Sequence, residues 1–263
     1  MSAKSHKLMI GDLEVHYLEE GRGQPLLLLH GGTATAGSWG EAMPRLADRY
    51  RVFALDTRGH GRTNNPAQKM SYAQFADDVA GFIGALGLRK PLIIGYSDGG
   101  QTALEFGLRH PGKAGALVLG GTISRPTEAY LEGLHGWGYP APGKVDLDRV
   151  AAEYAPYFEQ IKVTHMHHYG PDYWKAFLSQ ISELWLTLPS YSERQLASIS
   201  APTLVIMGDR DHLGGVEEAN RLYRHLGAGE LSIIANVGHE AVNKPLFWDA
   251  VREFLARHDE RQD

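Results

Sequence analysis

Short runs of consecutive apolar residues alternate along the chain with segments in which apolar residues recur every three to four positions. An apolar run of strand length without polar alternation is typical of a β-strand buried on both faces of a sheet. Such runs occupy residues 26–29, 51–55, 91–95, 116–119, 203–207 and 231–234. Near the N-terminus, residues 8–10 and 13–18 flank Gly11-Asp12, which predicts a β-hairpin.

Helical periodicity fills most of the intervals between these runs. After Ser71, whose spacing from Gln74 is that of a capping box, apolar side chains fall on one helical face. Further helices are predicted at about residues 99–110, ended by Pro111, and from about Pro245 onward. Strands that alternate with helices predict right-handed crossovers and a mostly parallel sheet, here of eight strands, with helices on both faces.

One long interval breaks the alternation. Residues 122–200, called the insert below, contain no buried-strand run. Helical segments are predicted there near residues 127–137, 147–160, 172–188 and 192–199. Three of the five tryptophans lie in the insert: Trp137, Trp174 and Trp185. The sequence thus predicts a sheet-based core from residues 1–121 and 201–263, interrupted by a helical, aromatic-rich unit.

Composition narrows the class of protein. A chain of 263 residues with 43% hydrophobic and 22% charged residues suits one large globular domain. A formal net charge of −5 gives no basic field for binding nucleic acid. The chain has no cysteine, which excludes disulfides, a cysteine nucleophile and thiolate metal sites.

The sequence also lacks the features of export or membrane insertion. No apolar run near the N-terminus has the length of a signal peptide. No other run approaches the length needed to cross a bilayer. We therefore expect a cytoplasmic protein that has no membrane partner.

Candidate chemistry begins at Ser97. Gly95 and Gly99 flank it in a G-x-S-x-G pattern, directly after a strand run and before a predicted helix. A serine on such a tight turn brings the flanking backbone so close that side chains there would clash. The turn also places the serine at a helix N-terminus, where free N–H groups favour a developing negative charge. The pattern is common in a chain with 31 glycines, but this position indicates a catalytic nucleophile.

A serine hydroxyl needs a base to take its proton, and the base needs an orienting carboxylate. Among 13 histidines, His239 follows the last strand run and precedes the last predicted helix. Loops that follow parallel strands share one edge of the sheet, so we expect His239 to lie near Ser97. Asp209 and Asp211 both follow the run at residues 203–207, and position alone does not decide between them.

The oxyanion formed by serine attack needs hydrogen-bond donors. The backbone N–H of Asp98, directly after the nucleophile, is one predicted donor. The other is expected in the loop after residues 26–29, where consecutive glycines let the backbone approach a ligand. Gly32 is the predicted donor, and Thr33 is the alternate and a candidate substrate contact.

Five motifs together resemble the alpha/beta-hydrolase family in both order and spacing. They are His30-Gly31-Gly32, Asp56-Thr57-Arg58-Gly59-His60-Gly61-Arg62-Thr63, Gly95-Tyr96-Ser97-Asp98-Gly99, Gly208-Asp209-Arg210-Asp211 and Gly238-His239. The resemblance covers nearly the whole chain outside the insert, and the chain order nucleophile, acid, base is that of the family. It implies that Asp211 is the acid, that the insert is a helical cap over the active site, and that Asp56 and Arg58 are structural.

The implied activity is hydrolysis of a small carboxylic ester through an acyl-enzyme, without cofactor or metal. A carbon–carbon bond hydrolase, lactonase, perhydrolase or hydroxynitrile lyase would keep the same triad and remains an alternative. A ligand receptor on this fold with little turnover is an alternative of another class. No feature of the sequence indicates the oligomeric state or the natural substrate.

The Asp98 side chain is a separate matter, because a carboxylate beside the nucleophile opposes a developing oxyanion. Either Arg58 or Arg62 pairs with it, which is the expectation we favour, or it binds a cationic substrate. The segment Ser97-Asp98-Gly99-Gly100 resembles the biphenyl-hydrolase-like group, which includes valacyclovir hydrolase and cleaves amino-acid esters. That resemblance implies Asp98 as a candidate contact for a substrate ammonium.

Three histidines, His165, His167 and His168, cluster in the insert. His165 and His168 would share one helical face, as a metal site requires. No carboxylate or partner helix supplies further ligands. We therefore predict a polar loop there, with no metal.

Overall fold

The sheet has eight strands, as predicted. A computed structural model describes residues 3–153 and 155–259. The strands are β1 (Lys4–Ile10), β2 (Leu13–Gly21), β3 (Pro25–Leu29), β4 (Arg51–Leu55), β5 (Leu92–Tyr96), β6 (Ala116–Gly120), β7 (Thr203–Gly208) and β8 (Gly229–Ile234). Their order across the sheet is β1-β2-β4-β3-β5-β6-β7-β8. β2 pairs antiparallel with β1 and β4, and all the other pairs are parallel.

Ten α-helices surround the sheet in the described part of the chain. They are α1 (Ala42–Ala47), α2 (Tyr72–Ala85), α3 (Asp98–Arg109), α4 (Glu128–Gly136), α5 (Leu147–Glu153), α6 (Ala155–Thr164), α7 (Tyr173–Leu186), α8 (Glu193–Ala197), α9 (Gly215–His225) and α10 (Pro245–His258). The hydroxyl of Ser71 accepts the Gln74 N–H and caps α2. None of the helices in the described ranges is long and apolar enough to span a membrane.

Apolar side chains alternate between two core layers along each central strand. In β3, Leu27 and Leu29 face the layer formed with α2, α3 and the insert, whereas Leu26 and Leu28 face the layer formed with α1 and α10. All four leucines are at most 1% exposed, which explains why the run has no polar alternation. Burying each contributes about 1.5–3 kcal/mol.

The parallel pairing sets where the functional loops lie. β3, β5, β6, β7 and β8 run in the same direction, so their carboxyl ends meet at one edge of the sheet. The loops that follow four of them carry Gly32, Ser97, Asp211 and His239. Between β6 and β7 the chain leaves this edge to form α4–α8 and then returns.

The turn from β5 into α3 holds Ser97 in a strained backbone conformation, with φ 55° and ψ −118°. A Cβ at Gly99 would lie 1.8 Å from the carbonyl oxygen of Leu29 in β3. A Cβ at Gly95 would lie 2.0 Å from the carbonyl oxygen of Gly99. Both positions therefore require glycine, because a side chain would overlap backbone carbonyl oxygens that are fixed by the sheet and by the start of α3.

The Gly99→Ala substitution should destabilise the fold by about 3 kcal/mol or more, because its Cβ overlaps backbone atoms. Gly84→Ala is the matched control, since nothing lies within 4 Å of a Cβ at this exposed helical position. That substitution should stabilise by up to about 1 kcal/mol. Urea unfolding of both variants measures the difference, and equal midpoints would show that the elbow tolerates a side chain.

Candidate active site

Three side chains from separate loops form one chain of hydrogen bonds. His239 Nε2 lies 2.9 Å from Ser97 Oγ, and His239 Nδ1 lies 2.8 Å from Asp211 Oδ2. An ionised carboxylate only accepts, so the proton sits on Nδ1, and Nε2 is free to accept from the serine hydroxyl. The structure thus brings the three predicted catalytic residues together in the order that base catalysis requires.

Asp211 rather than Asp209 faces the histidine. Asp211 is 4% exposed, and its Oδ1 accepts the Leu213 N–H at 3.0 Å. Burial alone would raise the pKa of Asp211, but the hydrogen bond from His239 and its charge hold that pKa below the ordinary value. Asp209 is exposed and accepts the Val237 N–H at 3.1 Å, which is the role of a turn residue.

The imidazole of His239 is fixed from several sides. The hydroxyl of Tyr96 donates to the His239 carbonyl, and the two rings lie 5.5 Å apart. Gly121, at φ 57°, leaves room for the ring, because a Cβ there would lie 2.9 Å from His239 Cε1. The ring of His212 lies 6.0 Å away, edge to face. The base therefore has one orientation, towards Ser97.

The two predicted oxyanion donors, Asp98 and Gly32, lie in segments that adjoin Ser97. Asp98 is the first residue of α3, so its N–H has no acceptor within the helix. A Cβ at Gly31 would lie 3.3 Å from Ser97 Cβ, which places the glycine loop against the nucleophile. A Cβ at Gly32 would lie 2.6 Å from Asp98 Oδ2 and 2.7 Å from the Trp185 ring, so no larger residue fits there.

Thr33 stabilises the glycine loop by a hydrogen bond within the loop. Its hydroxyl donates to the Gly32 carbonyl at 2.6 Å, and its backbone has a φ of 58°. The side chain is buried, at 4% exposure for the residue. The hydroxyl hydrogen that could have bound a substrate is thus used to hold the glycine turn.

The Asp98 carboxylate has different partners from those expected. It accepts from the Tyr72 hydroxyl at 2.9 Å and from Trp185 Nε1 at 2.8 Å. The expectation that Arg58 or Arg62 pairs with it is wrong, because the guanidinium of Arg58 binds Asp78 with two bonds of 2.7–2.8 Å.

Burial raises the pKa of Asp98, and the hydrogen bonds from Trp185 and Tyr72 counteract only part of that rise. Both donors are neutral groups. The one charged group that also favours ionisation of this carboxylate, among the described residues, is the catalytic His239 when it is protonated.

His165 is a contact that the sequence did not reveal. We expected a polar loop there, yet this residue is 1% exposed. Its Nδ1 accepts the Gly61 N–H at 2.9 Å, which leaves Nε2 to donate to the Thr33 carbonyl, also at 2.9 Å. The neutral ring thus ties the insert to the glycine loop of the site and to the turn at residues 56–63. His167 and His168 remain exposed.

The surroundings keep His165 neutral. Its ring stacks on Phe177 at 4.1 Å and meets His60 edge to face at 5.6 Å. The pKa of His165 is lowered to about 4, mainly by burial and also by His30 and His167, against the opposing effects of the Thr33 carbonyl and Asp56. Among the residues described, no group of three histidines or carboxylates is arranged to hold a metal ion.

Acid should destabilise the protein through His165. The folded-state pKa of His165, about 4, lies below the unfolded value of about 6.5. Between these two pH values the unfolded chain therefore binds a proton at His165 that the native state does not bind. The contribution of neutral His165 to the free energy of unfolding is complete above pH 6.5. It falls by about 3 kcal/mol as the pH drops to 4. His165→Gln keeps a donor and an acceptor without titrating, and should remove that part of the pH dependence.

Chemical denaturation at pH 4, 5, 6 and 7 measures this loss. His135→Gln is the control, because His135 is an exposed histidine of the same insert. If wild type and His165→Gln lose the same free energy between pH 6.5 and 4, His165 does not carry the effect.

Comparison with known proteins agrees with this geometry. A family model described as the alpha/beta hydrolase fold matches residues 24–243. The chain is 29% identical to a 2-hydroxy-6-oxo-6-(2'-aminophenyl)hexa-2,4-dienoic acid hydrolase of Metapseudomonas resinovorans, over 94% of this chain and 89% of that protein. It is 27% identical to a 2-hydroxy-6-oxo-2,4-heptadienoate hydrolase of Pseudomonas putida, over 96% of both chains.

The fold likewise resembles solved structures. A crystal structure of a bacterial membrane phospholipase A superposes with a TM-score of 0.81 at 25% sequence identity, covering 98% of this chain and 87% of that one. The family match, the full-length relatives and the eight-stranded sheet agree with one another. This chain therefore belongs to the alpha/beta hydrolase fold family and is a hydrolase.

Proposed function

We propose that this hydrolase cleaves a carbon–carbon bond beside a ketone in a small substrate, through an acyl-enzyme on Ser97. The observation that carries the reaction type is the hydrogen-bond chain from Asp211 through His239 to Ser97. The choice of bond follows the relatives described above, which align over nearly the full length and are named as hydrolases of 6-oxo-dienoic acids.

Cleavage proceeds by acylation of Ser97 and then hydrolysis of the acyl-enzyme. Ser97 Oγ attacks the ketone carbon while its proton passes to His239 Nε2, and Asp211 stabilises the imidazolium. The backbone N–H groups of Gly32 and Asp98 bind the resulting oxyanion. Collapse breaks the carbon–carbon bond, and the departing carbon takes the proton from His239. Water, deprotonated by His239, then attacks the acyl ester, and His239 returns that proton to Ser97 as the carboxylic acid leaves.

Carbon–carbon cleavage makes one demand that ester cleavage does not. In ester cleavage the leaving group is an alkoxide, which holds the electron pair of the broken bond on oxygen. In carbon–carbon cleavage the leaving group is a carbanion, which is stable enough only if that electron pair is delocalised into a conjugated carbonyl. A substrate in which a second carbonyl is conjugated with the breaking bond meets this demand. The chain's own residues need supply only the nucleophile, the proton and the oxyanion donors.

Hydrolysis of a small carboxylic ester is the second candidate, and the Asp98 carboxylate favours it. A dienoate substrate carries a carboxylate of its own, which an ionised Asp98 would repel. None of the insert's six lysines and arginines is buried (Arg125, Lys144, Arg149, Lys162, Lys175 and Arg194). A neutral ester, or an amino-acid ester whose ammonium pairs with Asp98, avoids this repulsion and gains roughly 1.5–3 kcal/mol from the charged hydrogen bond.

The raised pKa of Asp98 reconciles the first candidate with the same site. A substrate carboxylate close by raises this pKa further, so an anion can bind while Asp98 is protonated. The two candidates therefore predict opposite effects of neutralising this side chain.

Asp98→Asn separates the two candidates. Under carbon–carbon cleavage the variant should raise kcat/KM for a 2-hydroxy-6-oxo-hexa-2,4-dienoate by about tenfold, because it removes repulsion. Under amino-ester hydrolysis it should abolish a preference of about tenfold for an amino-acid ester over its desamino analogue. The assay compares both substrates in wild type and variant.

Wild type should turn over the dienoate faster than p-nitrophenyl esters of any acyl length. Faster turnover of an ester would make ester hydrolysis the function. Labelling of Ser97 by a fluorophosphonate with no turnover of either class would instead indicate a receptor.

The catalytic assignment has its own test. Ser97→Ala should lower turnover by about a thousandfold or more without unfolding, since this serine is a turn residue outside the core. Asp211→Asn should lose about 10⁴ in kcat because the carboxylate that fixes the His239 tautomer is gone. Asp209→Asn is the matched control and should keep most activity. The reverse ranking of the two aspartates would overturn the choice of acid.

A further inference from the structure

A second chain of Ser–His–Asp hydrogen bonds lies outside the active site. Ser5 Oγ in β1 lies 2.8 Å from His16 Nε2 in β2, and His16 Nδ1 lies 2.7 Å from Asp56 Oδ2 at the end of β4. The set shares no residue with the catalytic triad. The antiparallel pairing of β1 with β2 and of β2 with β4 holds its three members side by side.

The direction of these hydrogen bonds is that of a base facing a nucleophile. Burial is the largest single effect and would raise the pKa of Asp56, but the hydrogen bond from His16, the charge of His30 and the Arg62 and Ala36 N–H groups together lower it. The ionised carboxylate can only accept, so His16 Nδ1 carries the proton. Nε2 is left as an acceptor, and the hydroxyl of Ser5 is the donor that faces it.

The surroundings of these three residues leave Ser5 accessible to small molecules and place a positive charge near it. His16 is 6% exposed and Asp56 is 3% exposed, whereas Ser5 is exposed. All three line a cavity of about 360 Å³, together with Arg62 and His167. In the part of the chain that the structure describes, no carboxylate side chain pairs with the exposed guanidinium of Arg62. The Asp56 carboxylate in the same lining is buried and its oxygens accept from His16 and from the Ala36 and Arg62 N–H groups, so the exposed guanidinium of Arg62 is the charge that a small anionic group would meet.

We propose that Ser5 is a second nucleophile, which accepts an acyl group from small acyl donors that are themselves negatively charged, such as acyl phosphates. Ser5 Oγ attacks the acyl carbon and passes its proton to His16 Nε2, while Asp56 stabilises the imidazolium. The bond from the acyl carbon to the leaving oxygen breaks, and the leaving phosphate departs with that electron pair beside Arg62. His16 gives its proton to the departing phosphate, which leaves an O-acyl serine and a neutral imidazole. Water that His16 deprotonates then hydrolyses the acyl ester, and Ser5 takes that proton back.

This second site lacks the α-helix start that follows Ser97. Ser5 lies within a regular strand, and Gly61 in the lining of the same cavity already donates its N–H to His165. In the described lining of this cavity, the fixed positive charge is the side chain of Arg62. Ser5 is therefore reactive towards activated acyl donors and slower than Ser97.

The test uses the full-length Ser97→Ala protein, which removes the first nucleophile. After treatment with acetyl phosphate or a fluorophosphonate, peptide mass spectrometry should find the adduct on Ser5, forming at least tenfold faster than on the exposed Ser190 of the same molecule. Adding Ser5→Ala should abolish it. Adding His16→Asn, whose amide keeps the bond to Asp56 but lacks Nε2, should slow it at least tenfold.

Arg62→Gln tests the preference for negatively charged acyl donors in the same Ser97→Ala protein. It should slow acetylation by acetyl phosphate several-fold and leave acetylation by the neutral p-nitrophenyl acetate unchanged. Modification of Ser5 no faster than that of Ser190, or unaffected by His16→Asn, would overturn the proposal. Equal slowing with both acyl donors would overturn the role of Arg62. Circular dichroism of each variant shows that it is folded, and fluorophosphonate labelling of Ser97 in the Ser5→Ala single variant should match wild type.

Discussion

The strained turn at Ser97 is the constraint on which the rest of the site depends. An L-residue with φ 55° is unfavourable, and it persists here because the surrounding backbone allows no alternative. The Ser97 N–H donates to the Gly120 carbonyl in β6 at 2.7 Å, and Gly99 packs against the Leu29 carbonyl in β3. The turn is therefore held by the strands on either side of β5. It fixes the hydroxyl, the start of α3 and the Asp98 N–H together.

Much of this arrangement could be predicted because it is encoded locally. The Ser97 motif is contiguous, and the strand before it and the helix after it have their own patterns. His239 and Asp211 each follow a strand run, and parallel strands bring such loops to one edge whatever the distance between them in sequence. The sequence therefore predicted which residues meet without any information on contacts. The choice of Asp211 over Asp209 came only from the family resemblance, since both aspartates follow β7.

What could not be predicted depends on contacts between the insert and the core. Trp185 reaches Asp98 across 87 positions, and His165 reaches Thr33 across 132. No periodicity specifies such pairs, so a cationic partner for Asp98 was a reasonable expectation that proved wrong. The helices α1 and α9 were missed for a different reason. α1 has only six residues, and α9 buries only Glu218, Ala219 and Leu222. Apolar periodicity needs more positions than either helix offers.

Two Ser–His–Asp sets in one fold show what hydrogen bonding alone contributes to reactivity. Both sets have donor–acceptor distances of 2.7–2.9 Å, so both can move a serine proton to a histidine. The two sets differ in the groups that can stabilise an oxyanion beside the serine. At Ser97 a helix begins and a glycine loop approaches, whereas at Ser5 the strand continues and the fixed positive charge in the described cavity lining is the side chain of Arg62. Because donors fixed in advance cost no reorganisation when charge develops, the difference in rate between the two serines should reflect the backbone around them more than their bases.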